Sequence, residues 1–344
     1  GESFTYELRV PDAGMFWYHP HMREDVQQDL GLYGNLLVTS PDPNHYGPVH
    51  REELLVLDDI LMDGQGLLPW GEESPTHALM GRFGTVMLVN GVTDHQLNVR
   101  PGEVVRFFLT NVANTRTFNV TFGGAEVKLV ASDVGRFERE SMVESVVIAP
   151  AERYVVDVRF PRAEGSIAIA NTIQAVNHFR GEFYPVVDTL AQVRIAGEVM
   201  TDDVVQAFST LRSVEAVTAE VGPLRAYLDR SPDYTLETTV RVSGLPLPIV
   251  RAMEIDTLYV PPMEWNDAMP MMNWLSTGEQ VTWILKDVAS GRENGEIAWE
   301  FEEGDLVKVR VFNSPESFHP MNHPIHVHGQ RFVVLARDGV AGDN

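Results

Sequence analysis

The stretch PGEVVRFFLTN at residues 101–111 decides the fold, because a similar stretch, EGDLVKVRVFN, recurs at residues 303–313. Each copy consists of a glycine turn followed by an apolar run of strand length. A second match follows in each copy, with VKLVASD at residues 127–133 and FVVLARD at residues 332–338. A whole unit that recurs in this way indicates repeated architecture. The sequence therefore predicts two similar β domains in tandem.

Most of the remaining chain has the same character, since short apolar runs alternate with Gly, Pro, Asn and Asp. This spacing is typical of β-sandwich proteins. The exception is residues 201–232, where Val204, Phe208 and Leu211 recur at helical spacing and predict a linker with helical character. Residues 3–10 alternate apolar and polar side chains and predict a half-buried strand. The predicted fold class is all-β, with Greek-key β-sandwich domains and short helical linker segments.

Length, charge and cysteine content limit the function. The 344 residues allow two or three domains, and 44% hydrophobic residues are enough for sizeable cores. The formal net charge of −23 argues against nucleic acid as a partner. Since the sequence has no run of about 20 apolar residues, it predicts no membrane insertion. The chain contains no cysteine, which excludes disulfides and Cys-ligated metals within it.

Two short histidine clusters carry the chemistry. His19 and His21 form the first, and the second contains His323, His326 and His328. In a strand, residues two apart share a face, so each His-x-His pair is predicted to direct two imidazoles to one side. Neutral imidazole is the commonest metal ligand and suits copper, zinc, nickel and iron. The repeat strengthens the metal interpretation, because its register places non-ligating residues opposite the three later histidines: Phe118, Thr121 and Gly123.

Longer motifs around these histidines resemble those of multicopper oxidases of the laccase-like group, which have three cupredoxin domains. FWYHPH at residues 16–21 resembles the second copper motif of that family, and HPIHVHG at residues 323–329 resembles the third. VNG at residues 89–91 and APAERY at residues 149–154 resemble the middle domain. The resemblance implies cupredoxin-like sandwiches and copper as the cofactor.

The resemblance also implies a domain division and ligand roles. Residues 1–48 would be the C-terminal part of cupredoxin domain 1, residues 49–200 domain 2 without a copper site, residues 201–232 the linker, and residues 233–344 the N-terminal part of domain 3. The family's first and last copper motifs would lie outside the chain, so a chain truncated at both ends is expected. His19, His21 and His328 would bind the type 3 copper pair. The two other ligands would be His326 for the type 2 copper and His323 for the type 1 copper.

The implied activity is one-electron oxidation of a phenolic, amine-like or metal-ion donor, coupled to four-electron reduction of O2 to water. The same resemblance implies a periplasmic or extracellular location. Three alternatives stay open: a copper nitrite reductase, a non-catalytic scaffold that resembles multicopper oxidases, and a zinc site. The His-x-x-His-x-His triplet argues against the first, and the retained histidines argue against the second.

Residues outside these motifs are less informative. Glu24 and Asp25 are weak candidates for orienting the imidazoles, and a solvated turn is the favoured explanation. A methionine cluster follows residue 250 and could either bind Cu(I) or fill apolar gaps: Met253, Met263, Met269, Met271 and Met272. The remaining histidines are predicted to be structural or exposed: His45, His50, His77, His95, His178 and His319.

The absence of cysteine leads to a first prediction. Residues 1–344 alone form no copper–thiolate bond, so copper addition should produce no intense blue absorption and the chain should not reduce O2 to water. Optical spectra and O2 consumption of the isolated chain test this. A blue band would contradict the motif assignment.

Overall fold

The computed structural model is mainly β-strand and describes residues 1–177, 180, 182–253, 263–264, 270–319 and 323–342. The N-terminal elements are β1 (Gly14–Tyr18), α1 (Glu24–Asp29) and β2 (Gly34–Val38). The middle part contains β3 (Arg51–Ile60), β4 (Met62–Asp63), β5 (Gly66–Leu67), β6 (Trp70–Glu73), α2 (Ser74–Met80), β7 (Val86–Val89), β8 (His95–Val99), β9 (Val104–Asn111), β10 (Phe118–Thr121), β11 (Glu126–Ser132), β12 (Gly135–Val143), β13 (Val146–Ile148), β14 (Arg153–Arg159), β15 (Gly165–Asn177) and β16 (Glu182–Ile195).

The later elements include helices as well as strands. They are α3 (Asp203–Phe208), α4 (Glu215–Val221), a 3₁₀ helix (Gly222–Tyr227), β17 (Tyr234–Val242), α5 (Leu247–Ala252), β18 (Met263–Glu264), α6 (Pro270–Leu275), β19 (Val281–Asp287), a 3₁₀ helix (Asn294–Glu296), β20 (Val309–Asn313), β21 (Ala336–Arg337) and β22 (Val340–Ala341). Within the described residues, no helix is both long and apolar enough to cross a membrane.

The middle part forms a β-sandwich. One sheet has the strand order β12-β11-β14-β9-β3-β7, and the other has β13-β10-β15-β16-β8 with β18 paired to β15. Both sheets are mixed. In the first, β9 pairs antiparallel with β14 and parallel with β3, and in the second, β16 pairs antiparallel with β15 and parallel with β8. The inner faces of the two sheets enclose the largest apolar core of the described residues. The all-β prediction with cupredoxin-like sheets is confirmed.

Strand β9, which contains most of the first repeat copy, lies at the centre of this sandwich. All eight of its residues are buried, because the sheet is covered on both faces. Val105, Phe107 and Leu109 alternate toward the main core. Phe108 faces the other way and packs with Met15 of β1. The central strand therefore connects the sandwich core to the N-terminal hairpin.

That hairpin, β1 with β2, is antiparallel and packs on the outer face of the sandwich. Its backbone is held at Met15, which has no exposed surface. The Met15 N–H donates to the carbonyl of Asp133 at 3.0 Å, and the Arg153 Nε–H donates to the carbonyl of Met15 at 3.0 Å. The strand that precedes the first histidine pair is thus fixed to the middle of the molecule.

The sheet β19-β17-β20 belongs to the later part of the chain and packs on α2. The Trp283 indole N–H donates to the carbonyl of Ala78 at 2.8 Å, and the Thr76 hydroxyl donates to the Asn273 side chain at 2.9 Å. The apolar cluster there includes Met253, which is 1% exposed and is therefore a packing residue. Met269 and the side chains of Met263, Met271 and Met272 lie outside the described residues.

Two strand predictions are wrong in part. The second repeat copy forms a strand only from Val309 onward, and residues 323–335 belong to no β-ladder in the part of the chain described. Residues 3–10 are likewise in no strand and are almost entirely exposed. Alternation in sequence predicts a strand only where a neighbouring strand can pair with its N–H and C=O groups. These segments have no such neighbour among the described residues.

Residues 201–232 are helical, as their spacing predicts. The Asp202 side chain accepts hydrogen bonds from the backbone N–H groups of Val204 and Val205 at the start of α3, at 3.1 and 3.3 Å. Phe208, at the end of that helix, is buried. The domain boundaries at residues 48, 200 and 232 remain a prediction.

A buried carboxyl lies at the start of the sandwich, on β3. Asp58 is 3% exposed and accepts a hydrogen bond from the Tyr33 hydroxyl at 2.6 Å. Burial raises the pKa of Asp58 to about 7 and also raises the pKa of Tyr33. The Asp58 side chain therefore holds a proton in the folded protein at a pH where an unfolded chain has released it.

This pKa shift predicts an effect of pH on stability. Between about pH 4 and pH 7 the folded protein binds more protons at Asp58 than the unfolded chain does. The stability that this bound proton contributes is therefore lost as the pH rises through the folded pKa of Asp58. Asp58→Asn should therefore become more stable relative to the wild-type protein as pH is raised from 5 to 8. Urea unfolding at both values measures the difference.

The control for this experiment is Asp25→Asn. The hydrogen bond between Asp25 and Arg23 lowers the pKa of Asp25. Neutralising Asp25 should therefore bring no gain in stability at pH 8. The same pH dependence for Asp58→Asn and the wild-type protein would contradict the prediction.

Candidate metal centre

The first histidine pair follows strand β1. The strand ends at Tyr18, and His19-Pro20-His21 continues outside the ladder. Proline provides the reason, because Pro20 has no N–H to donate to a ladder and restricts the residue before it. The prediction that this pair lies within a strand is therefore wrong. The imidazoles of His19 and His21 are nevertheless adjacent, with ring centroids 4.7 Å apart.

The half-buried ring of His19 is covered on one side. The indole of Trp17 stacks on it with centroids 4.2 Å apart and planes inclined by 23°. His19 Nδ1 lies 3.1 Å from the carbonyl oxygen of Pro20 and 3.2 Å from the Gln28 side chain. His21 is more exposed, and its Nδ1 lies 2.9 Å from Glu24 Oε1. Helix α1 thus contacts both rings.

The second cluster lies against the first. His328 lies next to His21, with ring centroids 4.9 Å apart, and His326 lies next to His328, at 4.7 Å. The rings form a continuous series, His19–His21–His328–His326, although residues 323–327 are not in a strand. The structure therefore brings together four of the five residues predicted as ligands, from segments near opposite ends of the chain.

These four side chains line one cavity of about 710 Å³. Side chains of the middle sandwich and its helix α2 complete its wall, among them His77, Arg82 and Asn114. Arg82 lies over the Trp70 ring at 4.6 Å and donates to Asp29 at 2.9 Å. Burial lowers the pKa of His77 to about 4, so this imidazole is neutral at neutral pH.

His323 has different surroundings. It does not line the cavity among the described residues; its ring packs edge-on against Trp283, with centroids 5.5 Å apart. His323 Nε2 is buried and has no hydrogen-bond partner in the described structure. A buried polar atom in that state is costly unless it has a ligand. His323 therefore lies outside the group that the other four histidines form, and its assignment to a separate metal stays a prediction.

Burial favours the neutral imidazole at two of these histidines, His323 and His326. Burial lowers the pKa of His323, and the neighbouring His319 lowers it further. Burial also lowers the pKa of His326, and the neighbouring His328 lowers it further. A neutral imidazole retains a lone pair for a metal ion. The donor set, imidazoles without thiolates, therefore fits copper, and on chemistry alone it would also accept zinc, nickel or iron.

Sequence reasoning missed several residues of this region. The sequence favours a solvated turn for Glu24, whereas the structure places Glu24 Oε1 2.9 Å from His21 Nδ1. His77 was predicted to be structural or exposed, yet it lines the cavity. Gln28 and Asn114 carry no motif signal in the sequence. Gln28 contacts His19, nine residues earlier, and Asn114 contacts Asp25 and Asp29 across more than 80 residues of chain. His178 lies outside the described residues.

Comparison with known proteins identifies the family. Family models described as multicopper oxidase match residues 1–43, 51–185 and 266–343. The chain belongs to the multicopper oxidase family, whose cofactor is copper in type 1, type 2 and type 3 centres.

Three relatives illustrate the similarity. The multicopper oxidase MmcO of Mycobacterium tuberculosis is 30% identical over 211 residues, covering 50% of this chain and 40% of that protein. A laccase of Bacillus subtilis is 31% identical over 174 residues, covering 46% of this chain and 34% of that protein. The cell division protein FtsP of a Rahnella strain is 30% identical over 183 residues, covering 50% of this chain and 37% of that protein. The chain therefore spans between a third and two fifths of the length of these relatives.

Proposed function

We propose that the protein containing this chain is a copper-dependent oxidase. It would oxidise a phenolic or amine donor, or a metal ion, in one-electron steps and reduce O2 to water with four electrons and four protons. The observation that carries the proposal is the series His19–His21–His328–His326 around one cavity. Four-electron chemistry requires several metal ions close together, and a shared cavity lined by imidazoles meets that requirement.

Each histidine has a proposed role. His19, His21 and His328 would hold the type 3 copper pair, and His326 would hold the type 2 copper. His323 would hold the type 1 copper, with its buried Nε2 as the donor atom. Copper bound at these residues would accept electrons from the donor and deliver them to O2. The family assignment of the chain supports the metal, and the separation of His323 supports two kinds of centre.

The chain's own side chains prepare the cavity for this chemistry. Burial lowers the pKa of His326 and so keeps its imidazole unprotonated. Trp17 restricts the ring of His19 by stacking on one of its faces. Arg82 is held by Asp29 and by the carbonyl of Leu68, at 2.9 and 2.7 Å, so the cavity wall is fixed at this point. These contacts set the directions of the donor atoms before a metal binds.

A non-catalytic scaffold is the alternative to an oxidase. The observation in its favour is the similarity of the chain to a cell division protein. The cluster of imidazoles favours the oxidase, because the first repeat copy forms its strands without histidine at the matching positions 118, 121 and 123. The proposal includes a periplasmic or extracellular location, which rests on the resemblance to the family alone.

The proposal predicts different spectroscopic results for two single substitutions in the full-length protein. His323→Ala should abolish the type 1 copper signal and retain most of the signal from the other centres. His326→Ala should deplete the type 2 copper and leave the blue absorption. The reason is that the two rings lie in different surroundings, His323 against Trp283 and His326 on the cavity. Electron paramagnetic resonance and copper content measure both effects.

His77→Gln is the matched control, since it changes a cavity histidine that has no proposed ligand role. It should retain both copper signals. Loss of the same copper in His323→Ala and His326→Ala would contradict the assignment to separate centres. A full-length protein that binds copper but consumes no O2 with phenolic, amine or ferrous donors would favour the scaffold.

A further inference from the structure

We propose that helix α1 is a positioning element for the cavity, with Glu24 orienting His21 and Gln28 orienting His19. This inference rests on the proposed copper-binding role of the two histidines. Glu24 and Gln28 are four residues apart on α1 and therefore lie on one face of it. That face is the one in contact with the rings, at 2.9 Å for His21 and 3.2 Å for His19.

Glu24 determines which nitrogen of His21 carries the proton. An ionised carboxylate only accepts hydrogen bonds, so the contact between Glu24 Oε1 and His21 Nδ1 requires a proton on Nδ1. In the neutral imidazole this leaves the lone pair on Nε2. A hydrogen bond to the remote ring nitrogen is how proteins orient a metal-bound histidine and raise its basicity. Glu24 therefore prepares His21 Nε2 as the donor atom.

Gln28 acts in the same way on His19. The Nδ1 atom of His19 faces two groups, the carbonyl oxygen of Pro20 at 3.1 Å and the buried side-chain amide of Gln28 at 3.2 Å. One ring nitrogen cannot donate to the carbonyl and accept from an amide N–H at once. Rotation of the Gln28 amide by half a turn presents its oxygen instead, so that both neighbours accept from an Nδ1–H. His19 Nε2 is then also free for a metal.

The middle sandwich holds the helix in place. Asp29, the last residue of α1, accepts hydrogen bonds from Arg82 Nε at 2.9 Å and from the Asn114 side chain at 2.7 Å. Asn114 also donates to the backbone carbonyl of Asp25 at 2.7 Å. The ion pair of Asp29 with Arg82 is buried. The orientation of the two rings is thus coupled to residues from a different part of the chain.

The proposed role of Glu24 is to orient His21 and not to stabilise the fold. The His21 and Glu24 side chains are 55% and 44% exposed, and a polar contact with that exposure contributes little to stability. Glu24→Ala should therefore leave urea unfolding almost unchanged. The effect should instead appear in the tautomer of His21 and in copper affinity, which a merely structural role would not change.

The experiment uses the full-length protein without copper, labelled with ¹⁵N at histidine, and assigns the His21 signals by comparison with His21→Gln. In the wild-type protein His21 should carry its proton on Nδ1. Glu24→Ala should shift His21 toward the Nε2–H tautomer and weaken copper binding at the type 3 pair by about 10- to 100-fold. Glu24→Gln should lose less copper affinity than Glu24→Ala, because the amide oxygen still accepts a hydrogen bond from the Nδ1–H group of His21.

Asp25→Asn is the matched control. Asp25 is the next residue and carries the same charge, but it pairs with Arg23, at 2.9 Å, and forms no hydrogen bond or ion pair with His21 in the described structure. This variant should retain the tautomer and the copper affinity of the wild-type protein. Equal effects of Asp25→Asn and Glu24→Ala, or a wild-type His21 with its proton on Nε2, would overturn the inference. Failure of the wild-type cavity to bind copper would instead overturn the proposed function, while the tautomer would still decide the role of Glu24.

Discussion

The imidazoles of His21 and His328 are in contact because the central sandwich holds both of their segments in place. His21 belongs to a short segment near the start of the chain and His328 to one near its end, and each segment must be fixed to the middle of the molecule. Strand β1 is fixed by the hydrogen bonds of Met15 with Asp133 and Arg153. The later sheet is fixed through Trp283 and α2. The central sandwich is therefore the part of the structure that determines the distance between the two histidine clusters.

The sandwich to which both histidine segments are fixed contains buried charges as well as apolar side chains. Arg106 on β9 and Asp157 on β14 form a buried ion pair at 2.8 Å, and Arg116 pairs with Asp59 at 2.7 Å. A buried pair costs desolvation energy and is weak support for stability, but loss of one partner leaves an uncompensated charge. Because Arg106 also donates to the carbonyl of Gly47, at 2.7 Å, its pair connects the sandwich to the segment after the N-terminal hairpin. These pairs favour one arrangement of the segments over others.

Helix α1 shows how a short segment gains a role from its surroundings. It has six residues, too few for an isolated helix to be stable in water. The last residue of the helix, Asp29, is held by Arg82 and Asn114 from the sandwich. The helix face that carries Glu24 and Gln28 contacts the histidines. Arg82 and Asn114 of the middle region thereby hold the helix that contacts His19 and His21.

The sequence by itself determined the repeat, the all-β class, the helical stretch after residue 200 and the histidines that are predicted to bind metal. Each of these depends on local patterns: the alternation in β9, the spacing of Val204 and Phe208, and the motif around His326. Local patterns failed where pairing was needed, since residues 3–10 and 323–335 alternate or are apolar but have no partner strand among the described residues. Only the tertiary structure decided that His21 meets His328, that His323 lies apart against Trp283, and that Glu24 faces an imidazole. The contact of His21 with His328 joins residues whose separation along the chain carries no information about distance, and packing against the sandwich brings their segments together.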